Sequence, residues 1–329
     1  MSGNPANGEQ GGAADAVLEV ACDESGSDGE NLTGGNTDVF AHAGVSLSET
    51  AAAATVREIR DRIRSPAEEY KANHLLREKH RAVLEWLLAP RGPIHGRARV
   101  HLMEKTFFMV DRTLGLLLDD AVEAAVLFRA GRPAYGEAGW RAFLDAANQL
   151  LRVRQDGDPV DAFYGTVDTL LRARPRADAA SVLERLAATR PRAVSYRGGL
   201  LSGPPLIPLL NPLLPAIVRT AALWSGAGRP VHLVHDRQNM LTPDRIAWIE
   251  GTARRAGSHL AGLRLVVARD DARVQVADFL AGIARKIASD ELNGRGDPAL
   301  TALLRPYVDP GSVWGDARSG ALLADPVAG

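Results

Sequence analysis

The sequence predicts an α/β core interrupted by a large helical insertion, and three observations carry that expectation. Apolar, strand-like runs occur early, at Val17 to Cys22 and Val39 to Leu47, and again late, at Val231 to His235 and Leu263 to Ala268. Between Ser48 and about Arg190 the apolar residues recur at helical spacing instead. In the second half, strand and helix alternate, which is the pattern of parallel strands covered by helices.

The elements follow in order. Residues 1–16 are small and polar, without the basic start and apolar centre of a signal peptide, and read as a disordered tail. Residues 17–47 form the first part of the core, a β-hairpin closed through the Gly-rich turn Asp28 to Gly35. Residues 48–190 are the mainly helical insertion, with helical patterns at Thr55 to Ile63, Glu68 to Leu88, Met103 to Ala130, Trp140 to Val153, Val160 to Leu171 and Ala179 to Ala188. Pro191 and the segment Arg197 to Pro205 separate it from residues 191–305, the second part of the core. The longest apolar stretch, Leu200 to Trp224, contains prolines at 204, 205, 208, 212 and 215 and also Arg219, which makes it poor material for a membrane helix. It reads as a loop leading into a core helix. Helical patterns at Thr242 to Ala256 and Ala272 to Ile287 follow the two late strands, and residues 306–329 form a tail in which Trp314 is expected to pack on the core.

Composition bounds the function. The 329 residues are 46% hydrophobic and 24% charged, as in an ordinary globular protein with a sizeable core, and the formal net charge is −1. Proteins that grip long duplexes usually carry a large positive excess, so a nucleic acid would have to be held here by a local patch. The one cysteine, Cys22, excludes an internal disulfide and a cysteine-based zinc site and fits a reducing compartment, with cytoplasmic location and a buried thiol as expectations. There is no Walker-type phosphate loop, no Gly-x-Ser-x-Gly elbow and no His-Glu-x-x-His helix. Arg197-Gly198-Gly199 with Ser202-Gly203 reads as a flexible connection rather than a phosphate cradle. His74, His80, His95 and His101 fit no compact metal-binding spacing and are expected in ordinary structural or surface roles.

Three acidic positions are out of local pattern. Asp23, in Asp23-Glu24-Ser25-Gly26, is the first acid after the first strand, and Asp236 stands in the same relation to the strand ending at His235. In α/β sheets ligands gather at the carboxyl ends of strands, so adjacent strands would bring these two carboxylates together. Asp278 interrupts a stripe of Val274, Ala281, Gly282 and Arg285 on the last core helix and is expected to face inward, where an unpartnered carboxylate is costly. Local readings stay open for each: a turn at Asp23, a turn or helix cap at Asp236, an ion pair with Arg285 at Asp278.

Together these motifs resemble the bacterial family catalogued as domain of unknown function 3800, which is similar to the ribonuclease H-like fold. The resemblance rests on Asp23-Glu24-Ser25-Gly26, on Glu69-Tyr70-Lys71 as an acid-x-Lys element, on His235-Asp236, and on Gln275-Val276-Ala277-Asp278-Phe279-Leu280-Ala281-Gly282, in that order over residues 17 to 290. It implies a ribonuclease H-like mixed sheet with helices on its faces. It also implies that Asp23, Glu69, Asp236 and Asp278 converge at one sheet edge, with the three aspartates as ligands of Mg²⁺ or Mn²⁺ and Glu69 as a fourth ligand or a base that orients water. Such ions prefer carboxylate and phosphate oxygens. Two of them about 4 Å apart would activate water and stabilise the leaving oxygen of an in-line displacement at phosphorus. Lys71 is expected to contact a phosphate or tie down Glu69, Gln275 to orient Asp278, and Glu24 to neighbour the cluster while pointing the opposite way along the extended chain.

The expected function is therefore a divalent-metal-dependent phosphodiesterase, a nuclease acting on RNA, single-stranded DNA or a hybrid. The alternative is a non-catalytic module of a mobile element or defence system that binds nucleic acid or protein. A third reading is a phosphohydrolase of single nucleotides. The helical insertion would shape a substrate groove, build a homo-oligomer interface or replace the usual substrate path.

Overall fold

The computed structural model describes residues 17–64, 72–173 and 178–323. The expected tail at 1–16 lies outside the described residues. In chain order, strands β1 (Leu18–Ser25) and β2 (Val39–Val45) precede helices α1 (Glu49–Ile63), α2 (Ala72–Leu75) and α3 (Arg81–Leu88). Strand β3 (Ala98–Glu104) follows, and then α4 (Lys105–Leu117), α5 (Ala121–Leu151), α6 (Pro159–Arg172), α7 (Asp178–Ala187), α8 (Arg190–Leu201) and α9 (Leu213–Trp224). The second half runs β4 (Val231–Asp236), α10 (Pro243–Arg255), β5 (Leu260–Val266), α11 (Ala272–Leu292), α12 (Pro298–Leu304) and α13 (Ala317–Leu323).

The five strands form one mixed sheet in the order β3-β2-β1-β4-β5. β1, β2 and β3 pair antiparallel, while β4 joins β1 and β5 joins β4 in parallel. The carboxyl ends of β1, β3, β4 and β5 therefore share one edge, together with the start of β2. Strand alternation then sorts side chains between two helical layers. Val20, Cys22, Phe40 and Leu233 face a large core built with α4 to α10, and Val39, Ala41, Ala43 and Val45 face α1, α3, α11 and α12. Cys22 is fully buried, as expected, and burial pushes its thiol pKa far up.

Two local departures from the sequence reading have simple causes. Segment 48–190 supplies a strand as well as helices: Ala98–Glu104 pairs along its whole length with β2 and closes the antiparallel half of the sheet. Its run ends in Leu102 and Met103, which are good helix formers and merge by pattern with the helix that follows. Pro191 sits in the first turn of α8, where a missing N–H removes no helical hydrogen bond, so it begins a helix instead of separating segments. Helix α5 bends at Gly136, whose φ of 69° leaves the helical region. Trp314 packs half-buried against the α11 layer. Among the described residues no helix is long and apolar enough to cross a membrane.

Candidate active site

Asp23 and Asp236 lie side by side. The parallel pairing of β1 with β4 runs up to Cys22 opposite His235, and each aspartate is the next residue of its strand. Both project toward α11. Two residues earlier on the same face, Ala21 and Val234 pack with Val274 of that helix, and Asp278 stands one helical turn beyond Val274. Asp23 is only 7% exposed. Burial first, and then the charges of Glu24, Asp278 and Asp236, hold its carboxyl well above the usual carboxylate range, opposed by the Glu24 N–H that donates to its Oδ1 at 2.8 Å. Asp278 and Asp236, from two other elements, thus both act on Asp23 at one sheet edge.

Asp236 also has local work. Its Oδ1 accepts from the backbone N–H of Arg237 and of Ala268, both at 2.9 Å, and so holds the loop after β5. Gln275 grips the same loop, donating Nε2 to the carbonyls of Ala268 and Arg269 at 3.2 Å. Glu69 and Lys71 lie outside the described residues. Among the described residues, no group of three or more His, Cys, Asp or Glu side chains is arranged to hold a metal ion. The aspartates fit a hard divalent cation in chemistry, being all oxygen donors at an electrostatically overloaded point, but they do not stand as a closed coordination shell.

No family model, curated protein or solved structure matches this chain. The chemistry of the site is carried by its own geometry.

Glu24 points to the opposite face, as alternation requires. Its Oε1 accepts from Gln238 Nε2 at 2.9 Å, and its Oε2, buried without a hydrogen-bond partner among the described residues, lies 3.8 Å from His235 Nε2. His42 and His235 reach toward each other across β1, with their Nε2 atoms 3.1 Å apart and both side chains sealed from water. Their tautomers follow from the ends of the chain. The carbonyl of Asp236 can only accept, so His235 Nδ1 carries a proton and, in the neutral ring, its Nε2 accepts. His42 then donates from Nε2, and its Nδ1 accepts from the Thr220 hydroxyl at 2.8 Å. Burial, followed by the neighbouring His235 and His101, keeps His42 well below the ordinary imidazole pKa. His42 escaped the sequence reading. Its signal was a lone imidazole inside the otherwise apolar strand Val39–Val45.

Two basic groups that feel each other's charge stand beyond the end of β1. Lys105 is buried at the start of α4, bonded to Asp28 and Thr37. Arg285, two turns after Asp278 on α11, donates its Nε to Ser25 Oγ at 3.0 Å. Of the histidines read as structural, His101 is buried and bonds Asp309 at 2.9 Å, and Arg219 holds the other side of that carboxylate at 2.6 and 2.7 Å. These contacts hold Asp309 far below the usual carboxylate range.

Proposed function

We propose that the protein is a divalent-metal-dependent phosphodiesterase acting on nucleic acid, with a ribonuclease H-like core and kinship to the domain of unknown function 3800 family. The observation that carries the reading is the meeting of Asp23, Asp236 and Asp278 at the carboxyl edge of the sheet, with the Asp23 carboxyl buried under the charges of the others. An antiparallel meander continued by two parallel strands supports the core. Mg²⁺ or Mn²⁺, when bound, would neutralise the acids and polarise a phosphodiester. Asp23, Asp236 and Asp278 would hold the ion, with Glu69 as a further ligand or water-orienting base. The ordered backbone bonds at Asp236 and the Gln275 clamp on the adjoining loop would keep that carboxylate in place while substrate enters.

A second reading has one observation in its favour. Asp236 Oδ1 already satisfies two backbone donors, which is what a structural aspartate does, so the fold also suits a non-catalytic module that binds nucleic acid or protein. Cleavage assays separate the two. Labelled RNA, single-stranded DNA and hybrid are incubated with Mg²⁺ or Mn²⁺ and with the parent, Asp23→Asn or Asp278→Asn. Metal-dependent cutting that both variants lose is the expected outcome, and a parent that binds these strands without cutting any of them would favour the binding module.

A further inference from the structure

Among the described residues, one cation at this edge of the sheet has no ion-pair partner. Arg285 follows Asp278 by seven residues on α11 and so lies on the same stripe. Its partner Ser25 is two residues past Asp23 on the same face of β1, a step of about 7 Å along the strand. Gly26 makes room for the stem of the arginine: a Cβ there would come within 2.8 Å of Arg285 Cδ, and its φ of +89° suits glycine. The guanidinium is half-buried and has no ion-pair partner among the described residues.

The carboxylates whose charges reach Arg285 are Asp28, Asp290 and Asp38, and each is engaged elsewhere. Asp28 bonds Lys105 and Thr37. Asp290 pairs with Lys286 and, at 3.7 Å, with Arg295. Asp38 accepts from Ser289 at 3.0 Å and Asn293 at 2.6 Å. Arginine keeps its charge at any physiological pH, and a part-buried charge without a counter-ion is unfavourable. With Nε spent on Ser25, the outer nitrogens of the fork remain for a bidentate acceptor such as a phosphate.

We infer that Arg285 is a phosphate-binding residue that holds the backbone of a single nucleic-acid strand beside the edge formed by Asp23, Asp236 and Asp278. The inference rests on the phosphodiesterase reading and supplies the local positive patch that a chain of net charge −1 needs for a polyanion.

The test is equilibrium binding of a fluorescent single-stranded oligonucleotide to the full chain over a salt series with Mg²⁺, in an Asp278→Asn background to suppress cutting. Arg285→Gln is expected to weaken binding about tenfold or more, the share of a charge-assisted contact. It should also lower the slope of log affinity against log salt by about 0.7, the loss of one phosphate contact. Arg285→Lys should keep the slope and lose affinity, because an ammonium supplies the charge without the fork. Thermal melts report whether each variant folds, and if Arg285→Gln does not, Arg285→Lys decides: affinity equal to the parent overturns the proposal. Unchanged affinity and slope in Arg285→Gln also overturn it. Cleavage by the parent that Asp278→Asn abolishes keeps the phosphodiesterase reading standing in that event. A parent that neither binds nor cuts the strand removes both.

Discussion

Asp23 is a carboxylate whose surroundings oppose its charge, and that has a thermodynamic sign. Its folded pKa lies above the unfolded value, so over the window between them the folded state binds more protons and stability falls as pH rises. Without metal, keeping this carboxyl buried therefore costs the fold stability as pH rises through that window. Asp23→Asn, which keeps the shape and removes the charge, is expected to raise the melting temperature in chelator at pH 7 by about 1–2 °C, the shift that 1 kcal/mol produces in a chain of this size. The gain should vanish only well below the unfolded carboxylate value of 3.8, where the parent carboxyl is protonated in both states; a variant less stable than the parent at pH 7 would show that the charge on the acceptor of the Glu24 N–H bond outweighs the burial and repulsion. The three aspartates were legible in the sequence because each breaks an apolar pattern. Arg285 was visible only as a candidate partner of Asp278, since sequence spacing cannot tell which acids are already engaged.

At the scale of elements, helix α9 lies against β2 because Gly44 has no side chain. A Cβ at Gly44 would stand 2.8 Å from Trp224 Nε1 and 3.0 Å from Val20 Cγ1. Gly44→Ala is expected to destabilise the protein by about 1–3 kcal/mol through overpacking, with a change in tryptophan emission on denaturant titration. An unshifted midpoint would mean that Trp224 can move away freely. The His42 and His235 pair and the Thr220 bond sit between the same two layers, so this packing also fixes their tautomers. Elements with clear period and flanking turn residues, such as β1, β4, α10 and α11, were readable from the sequence. Strand β3 was not, because its end runs into α4 without a turn residue and its identity comes from pairing with β2.

For the whole molecule, the proposed cation should act as a ligand of the folded state alone. Saturation at a hundredfold excess over its dissociation constant would stabilise the fold by about 2.7 kcal/mol. The parent is therefore expected to melt several degrees higher in Mg²⁺ or Mn²⁺ than in chelator, and Asp278→Asn to show little of that gain; equal gains in both would place the ion elsewhere. From the sequence alone, local periodicity determined the α/β class, the parallel second half, the inward acid on α11 and the acids at the ends of β1 and β4, because each is written in residues a few positions apart. Which strands are neighbours, which side of the sheet each acid and histidine faces, and that Arg285 has its nearby carboxylates taken were decided only by the tertiary structure. His42 and His235 meet across 193 residues of chain, and such a contact is set by register and helix packing, which no local pattern encodes.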